Sequence, residues 1–318
     1  MSLLVVGSVA YDSVSTSHGS REEALGGSAT YFSVASSYFS EVNLVAVVGE
    51  DFRHTDRNTL LGHGIRLDGL ETAKGKTFRW KGLYDTENVN NRETLDTQLN
   101  VFETFSPKLT DNQIKSDYLF LANIAPDLQL KVLEQMNTRP KLIALDTMNF
   151  WIDDHRSRLT DVIKEVDILF MDQDEIRSFT KVSNIFTAAK KVRELGPRIV
   201  VVKKGEHGVL VINEGDIFAA PAFPIVDVID PTGAGDSFAG GFMGYIANSN
   251  DTSPESIRRA TIVGTVMGSF AVQGFSIEKI QSLNNDEIDE RFRGMVGITS
   301  FSALANEESL INFSVKQN

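Results

Sequence analysis

The sequence predicts a three-layer α/β/α sandwich with a mainly parallel central sheet and a small antiparallel β lid outside it. Three observations carry the prediction. Short, continuously apolar, β-branched runs recur along the chain, as strands covered on both faces require. Helical segments alternate with them, and each strand, helix, strand step returns the chain parallel with a right-handed crossover. One stretch instead alternates apolar with polar residues, as a strand with one wet face does.

The first apolar run is Leu3 to Ser8. No basic region precedes it, so an export signal is not expected and a cytoplasmic location is. Val42 to Val48 follows. Thr77 to Tyr84 (TFRWKGLY) and Thr94 to Thr104 (TLDTQLNVFET) form the alternating pair, separated by the turn-rich Asp85 to Arg92. Such an appendage suits a flap over a site or an interface between copies. Tyr118 to Ala122, Leu142 to Asp146, Ile168 to Met171 and Ile199 to Lys203 continue the sheet. Between them Asp127 to Asn137, Asp153 to Val166 and Ser183 to Leu195 read as helices, the last capped by Ser183 and closed by Gly196-Pro197. A helix capped by Thr252 or Ser253 starts at Pro254, and Thr261 to Phe275 is expected as a buried helix, too short and too broken by glycine to span a membrane. After Asn284 the chain offers no usable motif.

Composition narrows the chemistry. With 31 basic and 43 acidic side chains in 318 residues the net charge is −12, a field that repels polyanions, so nucleic acid and anionic membrane are not expected partners. The absence of cysteine excludes disulfides, a thiolate nucleophile and Cys-ligated zinc. The five histidines are neither clustered nor paired at helical spacing, which argues against a His-built zinc site. Gly75-Lys76-Thr77 lacks the first glycine of a P-loop, and Gly233-Ala234-Gly235 lacks the third glycine of a dinucleotide fingerprint.

The most informative segment is Asp230-Pro-Thr-Gly-Ala-Gly-Asp-Ser-Phe238. Gly233, Ala234 and Gly235 are small enough for a sharp turn that brings backbone close to a ligand, and a helix begins beside them. Free amides at that helix start can cradle phosphate oxygens. Asp236 stands where its charge would repel a phosphate. It is explained either as a proton acceptor for a hydroxyl that attacks phosphorus or as a helix cap.

This segment resembles the C-terminal signature of the ribokinase-like (PfkB) carbohydrate kinase family. Leu25-Gly-Gly-Ser-Ala-Thr-Tyr31 resembles the family's N-terminal double-glycine motif, and Lys204-Gly-Glu-His-Gly208 its glycine-containing turn near the nucleotide. The resemblance spans nearly the whole chain and implies a nucleotide- and substrate-binding core of residues 1–76 and 106–318. Its lid would be residues 77–105 with contributions near 10–24, and in some members the lid also joins two copies.

The resemblance implies an ATP-dependent kinase that phosphorylates a hydroxyl of a small sugar or sugar-like substrate, with magnesium. Asp236 would be the base, needing no raised pKa because an ordinary carboxylate is already ionised at pH 7, and the Gly233, Ala234 and Gly235 amides the anion hole. Substrate contacts would come from Asp12, Gly26, Gly27, Thr30, Tyr31 and Asn149, with Thr30 and Tyr31 in the neighbourhood where the family carries an Asn. Nucleotide contacts would come from Lys203, Gly205, Gly208, Thr232, Gly264, Met267 and Gly274. Magnesium would be oriented through Glu175 and Asp172, the latter in place of the family's Asn, and Asp230 with Thr232 matches a monovalent-cation site that would take potassium. The alternatives are a nucleoside (adenosine-type) kinase and a non-catalytic sugar- or nucleotide-binding regulator on the same fold.

Overall fold

Alternate residues of the first strand face opposite ways, and in the computed structural model they enter two different cores: Leu3 and Val5 pack in one, Leu4 and Val6 in the other. The structure describes residues 2–85 and 91–304. In chain order the elements are β1 (Ser2–Val6), β2 (Ala10–Thr16), β3 (Gly19–Gly26), α1 (Ser28–Ser37), β4 (Glu41–Gly49), α2 (His54–Gly62), β5 (Arg66–Ala73), β6 (Phe78–Tyr84), β7 (Arg92–Gln98), β8 (Tyr118–Leu121), α3 (Pro126–Gln135) and β9 (Leu142–Asp146). There follow α4 (Asn149–Asp154), α5 (Arg156–Glu165), β10 (Ile168–Asp172), α6 (Gln173–Thr180), α7 (Ile185–Arg193), β11 (Ile199–Lys203), β12 (Val209–Asn213), β13 (Asp216–Ala220), α8 (Ala234–Ser249), α9 (Pro254–Ala271) and α10 (Asn285–Thr299).

The large sheet has the order β13-β12-β11-β10-β9-β8-β1-β4-β5. From β11 to β5 every neighbouring pair is parallel, and β12 and β13 extend it antiparallel at one end. Helices α1, α8, α9 and α10 cover one face, and α3 to α7 the other. Strand order runs outward from β1 both ways, so a crevice opens beside β1 at the carboxyl ends of the strands. The smaller sheet, order β3-β2-β6-β7, overhangs that edge. Its outer pairings are antiparallel and the central β2–β6 pairing is parallel.

Four local expectations are corrected. Asn184, not Ser183, caps α7, its Oδ1 accepting from the Thr187 amide at 2.9 Å. The expected helix of residues 153–166 is broken at His155 into α4 and α5. The alternating run 94–104 leaves the sheet at Gln98 and coils into a 3₁₀ turn, Asn100–Thr104, which lets Val101 and the following Phe105 reach the second core. Beyond Asn284 there is a motif after all: Asn284 and Glu287 form a reciprocal capping box that opens α10. No helix among the described residues is long and apolar enough to cross a membrane.

Candidate active site

Charged side chains end the central strands on the edge where the crevice lies. Asp146 closes β9, Asp172 closes β10 and Lys203 closes β11. Lys203 Nζ donates to Asp146 Oδ2 at 2.9 Å and Oδ1 at 3.1 Å, with little of either side chain exposed. Desolvation would lower the ammonium's pKa, but the carboxylates of Asp146 and Glu175 outweigh it and hold Lys203 firmly protonated. The same Nζ stands 3.0 Å from where a Cβ on Gly235 would lie, so the ion pair is seated against the glycine turn.

That turn opens α8. Gly233 is its N-cap, with φ 74°, and a Cβ there would lie 2.3 Å from the ring of Tyr31, so both conformation and contact require glycine. The Ala234 amide bonds the Pro231 carbonyl at 3.2 Å, and no side chain caps the helix. Asp236, in the first turn, therefore does not act as a cap. Burial pushes its pKa up to about 7, reinforced by the charges of Asp146 and Asp12 and opposed by Lys203 and Arg92. The raised pKa that the sequence reading did not require is thus what this surrounding produces. Ahead of the turn, Asp230 is buried and braces the backbone: Oδ1 accepts from the Thr232 amide at 2.9 Å and Oδ2 from the Ser276 amide at 3.3 Å.

Across the cleft Asp12, on β2, is 5% exposed, and burial pushes its pKa up to about 7 against the pull of the Gly27 amide and Arg92. Its Oδ2 accepts from that amide at 3.3 Å, and a Cβ on Gly26 would lie 2.0 Å from the same oxygen. Thr30 and Tyr31 follow on α1; both are buried, and neither hydroxyl has a hydrogen-bond partner among the described residues. The Tyr31 phenol is held far above its ordinary pKa, first by burial and then by Asp12, Asp230, Tyr84 and Asp236. Asn149, in contrast, is exposed at the start of α4.

The two expected metal carboxylates form a capping box. Asp172 Oδ1 accepts from the amides of Asp174 and Glu175, both at 2.7 Å, while Glu175 Oε2 accepts from the Asp172 amide at 2.7 Å. Each keeps one carboxylate oxygen outside the box. Burial, with Asp172 and Asp146 nearby, pushes Glu175 up to about 8. The Lys203 ammonium opposes that shift without cancelling it, and no group of three or more such ligands for direct coordination exists among the described residues, so a cation here would be held through water.

The nucleotide-side positions scatter more. Gly205 and Gly208 bound a tight turn between β11 and β12, where a Cβ on Gly208 would lie 2.0 Å from the Ala220 carbonyl oxygen. Gly274 sits in the half-exposed turn after α9. Gly264 and Met267 lie in the α8–α9 contact: a Cβ on Gly264 would meet the Phe238 carbonyl oxygen at 2.8 Å, and the fully buried Met267 packs over Gly241. That packing accounts for both.

Three side chains at the cleft escaped the sequence reading. Tyr84, from β6, accepts a hydrogen bond from Thr232 Oγ1 at 3.1 Å, and Arg92, opposite it on β7, acts on Asp12 and Asp236 through its charge. Asp146 was readable in principle, as a lone carboxylate at the carboxyl end of a buried parallel strand, the edge where such sheets bind ligands.

The chain is 28% identical over 257 residues to a cytidine kinase of Thermococcus kodakarensis, an alignment covering 77% of this chain and 88% of that one. In fold it is similar to the nucleoside kinase of Methanocaldococcus jannaschii, an archaeal member of the ribokinase family (TM-score 0.72, 19% identity, 92% of this chain and 98% of that chain). It is also similar to the aminoimidazole riboside kinase of Salmonella enterica, whose structure holds aminoimidazole riboside and an ATP analogue (TM-score 0.71, 18% identity, 92% and 100%). Residues 2–277 match the family described as pfkB family carbohydrate kinase, and the chain belongs to that family of phosphotransferases with a hydroxyl acceptor.

Proposed function

We propose that the protein transfers the γ-phosphoryl group of ATP to a hydroxyl of a small sugar or nucleoside, with Asp236 as the base. The observation that carries this is Asp236 itself: uncapped, in the first turn of α8, its pKa raised to about 7, facing the field of Asp12. A base poised near the working pH takes a proton in the transition state most effectively. The acceptor oxygen attacks phosphorus, the bond to the β,γ-bridging oxygen breaks, ADP leaves, and the hydroxyl proton passes to the Asp236 carboxylate.

The remaining residues position and neutralise, which is most of what a loose phosphoryl-transfer transition state asks of a protein. The Gly233 and Gly235 amides and the Lys203 ammonium would face the transferring oxygens, the Ala234 amide being already bonded to the Pro231 carbonyl. Asp12, braced by the Gly27 amide, fixes the acceptor's hydroxyls. Glu175 and Asp172 would hold magnesium through water with their uncommitted oxygens; when bound, the ion offsets phosphate charge. Potassium at Asp230 and Thr232 would compete with the two amides that Asp230 already serves, and no step above depends on it.

Similarity to a cytidine kinase and to nucleoside kinases favours a nucleoside within this acceptor class. A coupled ADP-release assay with magnesium, ATP and a panel of sugars, inositol and nucleosides tests the reading. Turnover of at least one neutral hydroxyl acceptor is expected. Tight binding with no turnover of any would support the non-catalytic regulator instead.

A further inference from the structure

Strand β6 sorts its side chains by face: Lys81 and Leu83 are exposed outward, while Gly82 and Tyr84 are buried toward the cleft. Trp80 shares the cleft face. Register with the neighbouring strands brings Asp12 opposite Trp80, Thr94 opposite Gly82, and Arg92 opposite Tyr84. The Trp80 indole packs against Gly82, where a Cβ would come within 2.1 Å of its Cη2, and Nε1 donates to Thr94 Oγ1 at 3.3 Å. Gly82 is therefore the seat of the indole, and Thr94 fixes its rotation. On this platform rests Arg92, its guanidinium carbon 5.3 Å from the ring centroid, with its charge acting on the buried Tyr84 hydroxyl.

We propose that Arg92 is an acceptor-binding residue: laid on Trp80, its guanidinium donates to an oxygen of a neutral acceptor whose hydroxyls donate to Asp12. A guanidinium can only donate and a carboxylate can only accept, so the pair suits adjacent hydroxyls or a hydroxyl beside a carbonyl, each oxygen finding its complement. The charge balance selects neutrality. The positive charge of Arg92 already acts on Asp12 and Asp236, Asp230 adds a further negative charge, and Lys203 is held by Asp146. A sugar phosphate or sugar acid would add an anion with no cation assigned to it. The inference rests on the kinase reading of this same site and deepens it by naming a polyol or nucleoside without an anionic group.

The experiment measures steady-state kinetics and calorimetric binding for the wild type, Arg92→Met, Arg92→Lys, Trp80→Leu, Trp80→Phe and the Arg92→Met/Trp80→Leu double variant. The probes are ribose, fructose, myo-inositol, cytidine and adenosine, with fructose 6-phosphate as the anionic comparator. Loss of a charge-assisted hydrogen bond predicts a rise of about 10- to 100-fold in acceptor KM or Kd for Arg92→Met, with the KM for ATP within about twofold of wild type. Trp80→Leu should shift the same parameter the same way, Trp80→Phe should restore it, and the double variant should be no worse than Arg92→Met alone, because both changes remove one interaction. An unchanged acceptor constant in Arg92→Met, a parallel rise for ATP, or additive effects in the double variant would overturn the assignment. A wild-type preference for fructose 6-phosphate that disappears in Arg92→Met would overturn the neutral-acceptor claim. If the wild type turns over no compound, the kinase reading fails, and calorimetric binding of the same probes still decides Arg92.

Discussion

The Tyr84 hydroxyl of the smaller sheet stands 3.1 Å from Thr232 Oγ1, in the loop that leads into the Gly233–Gly235 turn, and accepts its hydrogen bond. Tyr84 and Thr232 are both buried, so this contact ties the position of the smaller sheet to the loop that presents Asp236. Tyr84→Phe removes the acceptor and leaves the threonine hydroxyl short of a partner, at a cost of about 1 kcal/mol. We expect acceptor KM to rise by roughly two- to tenfold. A larger fraction of ATP should also be hydrolysed without transfer, read as excess ADP over phosphorylated product. A product-to-ADP ratio identical to wild type would separate this bond from lid closure.

Asp236→Asn keeps the shape of the side chain and removes its basicity. Turnover should fall by roughly 10²- to 10⁴-fold while nucleotide binding persists. In the wild type the raised pKa places the base on the descending acid side: kcat/KM for the acceptor should fall as pH drops below about 7. A residual Asn variant rate should lose the part of that acid limb that belongs to Asp236, seen in kcat, while the part that Asp12 contributes through acceptor binding stays in kcat/KM. A variant that turned over near the wild-type rate would remove Asp236 from proton transfer.

How much of this could be read from residues alone depends on whether a feature is local. The buried parallel strands announce themselves by unbroken apolar runs, and Asp230 to Phe238 carries its turn and helix start in consecutive residues. Strand β5 does not announce itself, because at the sheet edge it is mostly exposed and reads as mixed polarity. The cleft positions of Arg92 and Tyr84 depend on cross-strand register, which passes a bulge between Lys81 and Gly82 that no periodicity reveals. Raised carboxyl pKa values at Asp12, Glu175 and Asp236 arise from burial among groups far apart in sequence. The box of Asn284 and Glu287, by contrast, was legible in spacing alone and was passed over.

Gly233→Ala confronts two obstacles, a left-handed φ of 74° and the Tyr31 ring 2.3 Å from the new Cβ. The ring is buried against the core and cannot swing away cheaply. The turn must shift instead, and if its amides face phosphate as proposed, the displacement should cost on the order of 100-fold in turnover. Circular dichroism should show a folded protein while kcat falls. Retained kcat would mean that the turn's position does not govern transfer.

Lys203→Met leaves Asp146 buried without its cation, a change that typically costs about 3 to 5 kcal/mol. Adding Asp146→Asn should recover much of the loss, since the stranded charge goes with it. The single variant also strips the charge that lowers the pKa of Glu175 and Asp236, so any remaining activity should show its acid limb at higher pH. Denaturant melts of the single and double variants decide the first point, and a pH profile of the single variant the second. Equal stability of Lys203→Met and wild type would deny the pair its structural weight.

The buried carboxyls also set how the ligand-free protein responds to pH. Asp12 has a folded pKa of about 7, above its ordinary value, so the folded state holds a proton that the unfolded chain releases. Its contribution is fully present below the ordinary carboxylate pKa of about 3.8 and is lost as pH rises through about 7, so this group makes the fold less stable at pH 8 than at pH 5. Asp12→Asn keeps an oxygen for the Gly27 amide and removes the charge. The variant should melt higher than wild type at pH 8, by on the order of 2 kcal/mol in stability, and nearly equally at pH 4. It should bind acceptor poorly at both. A variant less stable than wild type at pH 8 would show that Asp12 is compensated by charge the described residues do not supply. The gain at pH 8 would identify Asp12 as a group held at a cost to the fold for the sake of the ligand.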